Sequence, residues 1–245
     1  RAIDVGFGNT KYVVGAQGGR VDCAHFASIA YDSAHDNTGD ALGSKRKTVC
    51  VPVGGMWYEV GPDVALAADG FVGRNHHDDY MRTHEYRAFT AGAVHFMKVD
   101  RVDLRVLGLP VADYMRRRAE LQKAMTGTFE VGRNRKVEVK RVLVVAQPQG
   151  AMYAVFGDQA NAKLRHGRTL VIDAGSRTFD WLVARGMKLS HKRSHSVDRG
   201  VADILNLIAD DVSVEIGSTY TSLDSIDHAL RTGKALTVYQ KTYQL

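Results

Sequence analysis

A short apolar run that ends in Asp-x-Gly, turns through small or polar residues and resumes as a second apolar run occurs twice in this chain. The first copy is Ile3-Asp4-Val5-Gly6-Phe7-Gly8-Asn9-Thr10-Lys11, and the second is Ile172-Asp173-Ala174-Gly175-Ser176-Arg177-Thr178-Phe179. Their aspartates lie 173 − 4 = 169 residues apart. That spacing suits two related lobes, each offering a hairpin to a common cleft, in a chain of 245 residues that is long for one domain. An Asp at the end of a buried strand projects its carboxylate where the strand ends face. The glycine two residues on lets backbone amides approach a ligand, and successive turn amides form a nest for phosphate oxygens. Lys11 adds a mobile charge, and Thr10, Ser176 and Thr178 add hydroxyls. Two carboxylates repel a polyphosphate unless a cation lies between them, and Mg²⁺ held largely through its waters is the natural choice. The pair therefore predicts a nucleoside triphosphate clamped between two lobes.

The rest of the chain reads as an α/β protein. Residues 2–5 and 12–14 are strands, and residues 49–53 and 56–60 flank Gly54-Gly55 as a hairpin. Tyr86, Phe89, Ala93 and Phe96 stand at helical spacing within residues 79–97. A strand is expected over 102–107, a helix over 112–125, and one strand over 137–146. A helix over 153–164, a buried strand over 169–173, a strand over 179–184 and a helix over 201–208 complete the alternation. Residues 31–48 are polar and rich in turn formers, as in a long exposed loop.

Composition excludes several classes. Four prolines and two cysteines rule out collagen-like and disulfide-scaffold chains, and Cys23 and Cys50 read as reduced thiols. No eighteen-residue apolar run is present, so no membrane span is expected; no signal peptide is visible, and a cytoplasmic protein is the expectation. The net charge of +6 permits acidic partners without requiring them. The basic residues Arg116, Arg117, Arg118, Arg133, Arg135, Lys136, Lys140 and Arg141 read first as a solvated face. Filament contacts or non-specific DNA attraction are the functional alternatives, and direct DNA reading is not expected without a DNA-binding motif.

Three near misses carry no chemistry. Gly39-Asp40-Ala41-Leu42-Gly43-Ser44-Lys45 is one residue short of a P-loop and follows no buried strand, and Gly6-Phe7-Gly8 lacks the third glycine of a dinucleotide fingerprint. His76-His77-Asp78-Asp79 reads as a solvated loop or helix start capped by Asp78 or Asp79. His191-Lys192-Arg193-Ser194-His195 lies in a strand-like stretch, where i and i+4 give no shared metal face.

Asp4 to Lys11 resembles the first phosphate motif of the actin-like ATPase superfamily, and Asp173 to Asp180 resembles the second. Val106-Leu107-Gly108-Leu109-Pro110-Val111-Ala112-Asp113-Tyr114 and Val144-Val145-Ala146-Gln147-Pro148-Gln149-Gly150-Ala151 are similar to segments of its plasmid-segregation branch, the ParM/StbA proteins, including the actin-like proteins of PRTRC plasmid systems. The resemblance spans essentially the whole chain. It implies an actin-like, ribonuclease-H-like two-lobed ATPase fold with a nucleotide cleft between the lobes. Lobe I would run over residues 1–168 with a smaller subdomain inserted near 18–75, and lobe II over 169–245. It implies that Asp4 and Asp173 hold a hydrated Mg²⁺, that Lys11 contacts ATP or GTP phosphates, and that Gly6, Gly8, Asn9, Thr10, Gly175, Ser176, Arg177 and Thr178 line the cradle. Arg177 departs from the small residue usual there. Gln147 falls at the position that orients the attacking water, so Gln147 and Asp173 are the implied catalytic residues. An amide is a poor base, and slow, positioning-limited hydrolysis follows. Gly200 and Asp203 open the helix that approaches the nucleotide sugar. A later Gly-Gly-Gly turn at the adenine does not appear after residue 208, and lobe II is expected to be incomplete.

The implied function is ATP-dependent assembly into filaments that segregate plasmid DNA through a DNA-binding adaptor. The rivals are a sugar-kinase-like or chaperone-like ATPase of the same fold and a non-hydrolysing scaffold, because one fold hosts many functions.

Overall fold

The computed structural model describes residues 1–33, 35, 46–67, 79–157 and 166–245. The P-loop-like segment 39–45, His76 to Asp78 and the end of the helix expected over 153–164 lie outside these residues. The described chain separates into two compact units. One comprises residues 1–173 and 180–196, the other residues 174–179 and 197–245.

The first unit is built on a mixed five-stranded sheet. Strands β1 (Ala2–Val5), β2 (Asn9–Gln17) and β3 (Arg20–Ala27) form an antiparallel meander, pairing Ile3 with Tyr12 and Thr10 with Phe26. A three-stranded antiparallel sheet follows, made of β4 (Tyr31–Ser33), β5 (Val49–Val53) and β6 (Met56–Val60). Its tight turn is Gly54-Gly55 at φ +62° and +85°, a geometry that only glycine adopts freely. Helix α1 (His84–Phe96) begins at Thr83, whose hydroxyl accepts the Tyr86 N–H, and lays Tyr86, Phe89, Ala93 and Val94 into the main core.

The strand expected over 102–107 is two strands in different sheets, β7 (Arg101–Val102) and β8 (Arg105–Leu109). The one expected over 137–146 is likewise β10 (Lys136–Val139) and β11 (Val142–Ala146). Strands β7, β10 and β9 (Gly127–Glu130) form a small sheet, while β8 joins β1 in parallel and β11 joins β8 in parallel. Helix α2 (Val111–Ala124) connects β8 to β9, and α3 (Gln147–Gly157) begins directly after β11.

A second sheet holds β12 (Arg168–Ala174), β13 (Phe179–Arg185) and β14 (Lys188–Leu189), with β15 (His195–Val197) paired to β13. Strand β12 stands at the edge of this sheet and leaves Leu170 and Ile172 each 59% exposed, which corrects the buried strand expected there. The stretch 191–195 is a short 3₁₀ turn, His191–Arg193, entering β15, rather than a continuous strand.

The second unit contains helices α4 (Val201–Ile216), twice the length expected from sequence, and α5 (Leu223–Thr232), with the ribbon β16 (Leu236–Val238) and β17 (Lys241–Tyr243). Leu205, Ala209, Val212, Ile226, Ala229, Leu236 and Val238 form its core. Neither Cys23 nor Cys50 forms a disulfide. Among the described residues, no helix is long and apolar enough to cross a membrane.

Buried Asp180 fastens β13 to α2. Helix α2 follows Pro110, which offers no side-chain cap. Its first free amides are satisfied from β13 and β15: Asp180 Oδ1 accepts the Val111 N–H at 2.7 Å, and Ser196 Oγ accepts the Ala112 N–H at 2.9 Å while donating to Asp180. The carboxylate also meets the positive end of the helix dipole. Asp180→Ala strands these donors in a site only 1% exposed, so a loss of about 2–4 kcal/mol is expected in urea unfolding. A loss below about 0.5 kcal/mol, the level of an ordinary surface substitution, would remove this bracing role.

Candidate functional site

The first hairpin carries Asp4 at the end of β1 and Lys11 directly opposite it in β2. Lys11 Nζ lies 3.8 Å from Asp4 Oδ2, with the lysine side chain 66% exposed and free to swing. The intervening loop is held from beneath. Gly6 N–H donates to Asn9 O at 3.1 Å, Ser28 Oγ donates to Gly6 O at 2.7 Å, and Tyr80 OH donates to the same carbonyl at 3.3 Å. Phe7 stacks on Tyr80 with ring centroids 4.3 Å apart. Thr10 is fully buried, and its hydroxyl shares a 2.9 Å hydrogen bond with Ser28. Its side chain faces the brace, while Gly6, Gly8 and Asn9 form the loop itself.

Gln147, the first residue of α3, donates from Nε2 to Asp4 Oδ1 at 2.7 Å. This fixes the amide orientation and leaves Oε1 as its acceptor end. Gly108 in β8 makes the contact possible, since a Cβ there would lie 2.8 Å from Gln147 Cγ and 3.1 Å from Asp4 Oδ1.

Asp173 closes the first unit's share of the site. Burial raises its carboxyl above the ordinary range, the Asp180 and Asp4 carboxylates raise it further, and Lys11 offsets part of this. The group therefore sits where positive charge is in deficit. Among the described residues no cluster of three or more His, Cys, Asp or Glu could encase a metal. Two carboxylates that share one lysine suit a cation that keeps most of its waters, as Mg²⁺ does, and do not suit a zinc-type cage.

In the second unit, the turn Gly175 to Thr178 is fastened to the start of α4. Gly175 N–H donates to Thr178 O at 2.9 Å, Val201 N–H donates to Gly175 O at 3.0 Å, and Ala202 N–H donates to Ser176 O at 2.9 Å. Gly200 packs so closely that an added Cβ would lie 2.3 Å from Ser176 O. Asp203 Oδ2 accepts the Gly200 N–H at 2.8 Å, half of a capping box, and Arg199 lies 3.7 Å from its other oxygen. Gly200 and Asp203 thus shape the turn. Arg177, 16% exposed at its side chain, points to Asp198 at 3.9 Å.

Several residues that shape these loops carry no local sequence signal. Ser28 and Tyr80 reach the first loop from 22 and 74 residues away. Asp79, proposed from sequence as a cap, makes no side-chain cap bond and instead pairs with Arg82 and Arg117. The basic run is largely tied down. Arg135 donates to His95 O and Val99 O, Lys136 lies 3.5 Å from Glu130, Lys140 lies 3.8 Å from Asp103, and Arg118 covers the Tyr114 ring.

The chain is similar to known proteins over nearly its whole length. Residues 2–150 match the family model described as actin like proteins, N terminal domain, and residues 171–245 match the archaeal actin homologue MreB-like, C-terminal model. No curated protein matches the sequence. The archaeal actin homologue Ta0583 superposes with a TM-score of 0.71 at 22% identity, over 98% of this chain and 73% of its own. The ParM protein of psk41, in its apo form, gives 0.64 at 18% identity, over 94% of this chain and 73% of its own. AlfA from B. subtilis plasmid pLS32, solved as a filament, gives 0.57 at 18% identity over 86% and 76%. Ta0583 has also been solved in complex with ADP, and an AlfA filament with AMPPNP.

Proposed function

Because the chain belongs to the actin-like proteins, whose N-terminal domain model spans residues 2–150, we propose that it is a Mg²⁺-dependent ATPase that assembles into filaments and segregates plasmid DNA through a DNA-binding adaptor in the cytoplasm. The observation that carries this reading is the first hairpin: Asp4 and Lys11 face each other across it, and Gln147 is locked onto Asp4 at 2.7 Å. The filament structure of AlfA and the ParM of psk41 support the choice of assembly and plasmid segregation within the family.

In this reading Asp4 and Asp173 hold hydrated Mg²⁺, which supplies charge neutralisation at the phosphates when bound. Lys11, freely exposed, contacts phosphate oxygens. The amides of Gly6, Gly8 and Asn9, and those of Gly175, Ser176 and Thr178, cradle the phosphate chain. Thr10 sets the first loop from below, and Gly200 and Asp203 set the second. Gln147 Oε1 accepts a hydrogen bond from the attacking water and orients it without taking its proton, which gives slow hydrolysis. Lobe I covers residues 1–168 and lobe II residues 169–245.

Sedimentation tests assembly directly. With Mg·ATP, or with a non-hydrolysed analogue, the protein is expected to pellet above a critical concentration and to stay in the supernatant without nucleotide. Equal pelleting with and without nucleotide, or none at any concentration, would contradict the filament reading.

A further inference from the structure

The first unit also holds a cavity of about 210 Å³ lined by none of the residues of the site above. Its walls are mixed: Val94 of α1, Met125 beyond α2, Phe129 of β9 and Val137 and Val139 of β10 form the apolar part, and Thr90 and two arginines add polar surface. One lining residue is out of place. Arg105, the first residue of β8, is 1% exposed. Its Nη2 donates to Met125 O at the carboxyl end of α2, and its guanidinium lies 5.0 Å from the Phe129 ring centroid. Its Nε has no hydrogen-bond partner among the described residues. Burial pushes its pKa down to about 10, and Tyr86, not a carboxylate, is the neighbour that opposes the shift.

A buried guanidinium with an unused donor is costly unless an anion pairs with it. Arg87 and Glu130, both exposed, also line it, and Glu130 lies 3.5 Å from Lys136, so the electrostatic balance of the lining favours an anion. A liquid water occupies about 30 Å³, so the cavity has the volume of about seven waters and room for a small organic ligand. The walls reward an apolar body and the floor rewards a single negative charge. We propose that this cavity binds a small monocarboxylate with an apolar body, its carboxylate accepting from the Arg105 guanidinium. An occupant would touch α1, β8 and the β9–β10 pair together.

Octanoate, octanol and inorganic phosphate are suitable probes against the full chain. Octanoate is expected to bind saturably and to raise Tm by about 5–10 °C at a hundredfold excess over Kd. Arg105→Met keeps the volume and removes the charge, and should weaken octanoate at least about 10-fold, the loss of one charge-assisted hydrogen bond. Ala91→Phe leaves Arg105 intact, fills the cavity and should abolish binding; it decides the matter if the Met variant does not fold. Octanol binding as tightly as octanoate, phosphate protecting as well as octanoate, octanoate binding that survives Ala91→Phe, or no binding by octanoate would each overturn the proposal.

Discussion

Asp173→Asn is expected to lower nucleotide-dependent phosphate release by at least about 10²-fold, the scale on which removal of one charge-stabilising group acts, while raising the melting temperature of the nucleotide-free protein. The two effects share one cause. Burial and the Asp180 and Asp4 carboxylates raise the Asp173 carboxyl above its ordinary value of 3.8. An acid whose folded value exceeds its unfolded one holds its proton more tightly when folded. That advantage is fully present below the unfolded value and is lost as pH rises through the folded value. At neutral pH the ionised Asp173 therefore works against folding, and Asn removes the opposition. The stability gap between variant and parent should be largest near pH 7 and shrink toward pH 3. A variant less stable than its parent at pH 7 would show that the carboxylate is held by favourable partners, contrary to the charge deficit described above. Sites that sacrifice stability for function behave in the way predicted here.

Gly200→Ala should be nearly as damaging to activity, although residue 200 carries no reactive group. Its φ of −140° is open to any residue, so the effect is steric and not conformational. The added methyl would stand 2.3 Å from Ser176 O and 2.6 Å from Arg177 C, both backbone atoms that cannot rotate away. The turn Gly175 to Thr178 must shift by about an ångström, or the hydrogen bonds from Val201 and Ala202 must break. A displacement of that size in a positioning element costs about 10²-fold in rate. Overpacking of this kind also costs about 1–3 kcal/mol of stability. Phosphate release, with circular dichroism to confirm folding, separates the two effects. A variant with the parent's rate would mean that this turn does not set phosphate geometry.

Much of the first hairpin was legible because its chemistry and its fold use the same residues: Asp-x-Gly both ends a strand and frees the backbone for a ligand. Two strand breaks were missed, and their mark is in the burial of the folded chain. Buried positions are even at Val102, then odd at Arg105, Leu107 and Leu109; they are odd at Val137 and Val139, then even at Val142, Val144 and Ala146. A regular strand keeps the parity of its buried face, so each switch calls for a break or a bulge, and here it is a break. Counting apolar content instead of parity fused the pieces. Arg105, and the bracing of α2 by Asp180, were invisible for another reason. Each is a charge inside an apolar run, and what makes it tolerable, Met125 O and Phe129 for one and the α2 amides for the other, lies tens of residues away. The braces of the first loop, Ser28 and Tyr80, are remote in the same way.

The central claim is that hydrolysis and assembly are coupled in one protein, and phosphate release measured across a protein concentration series with Mg·ATP tests it most directly. The account predicts a rate near zero below a critical concentration, a steep rise above it, and no rise at any concentration for Asp173→Asn. A rate strictly proportional to protein from the lowest concentration upward would contradict it, and would describe an enzyme that works as a monomer.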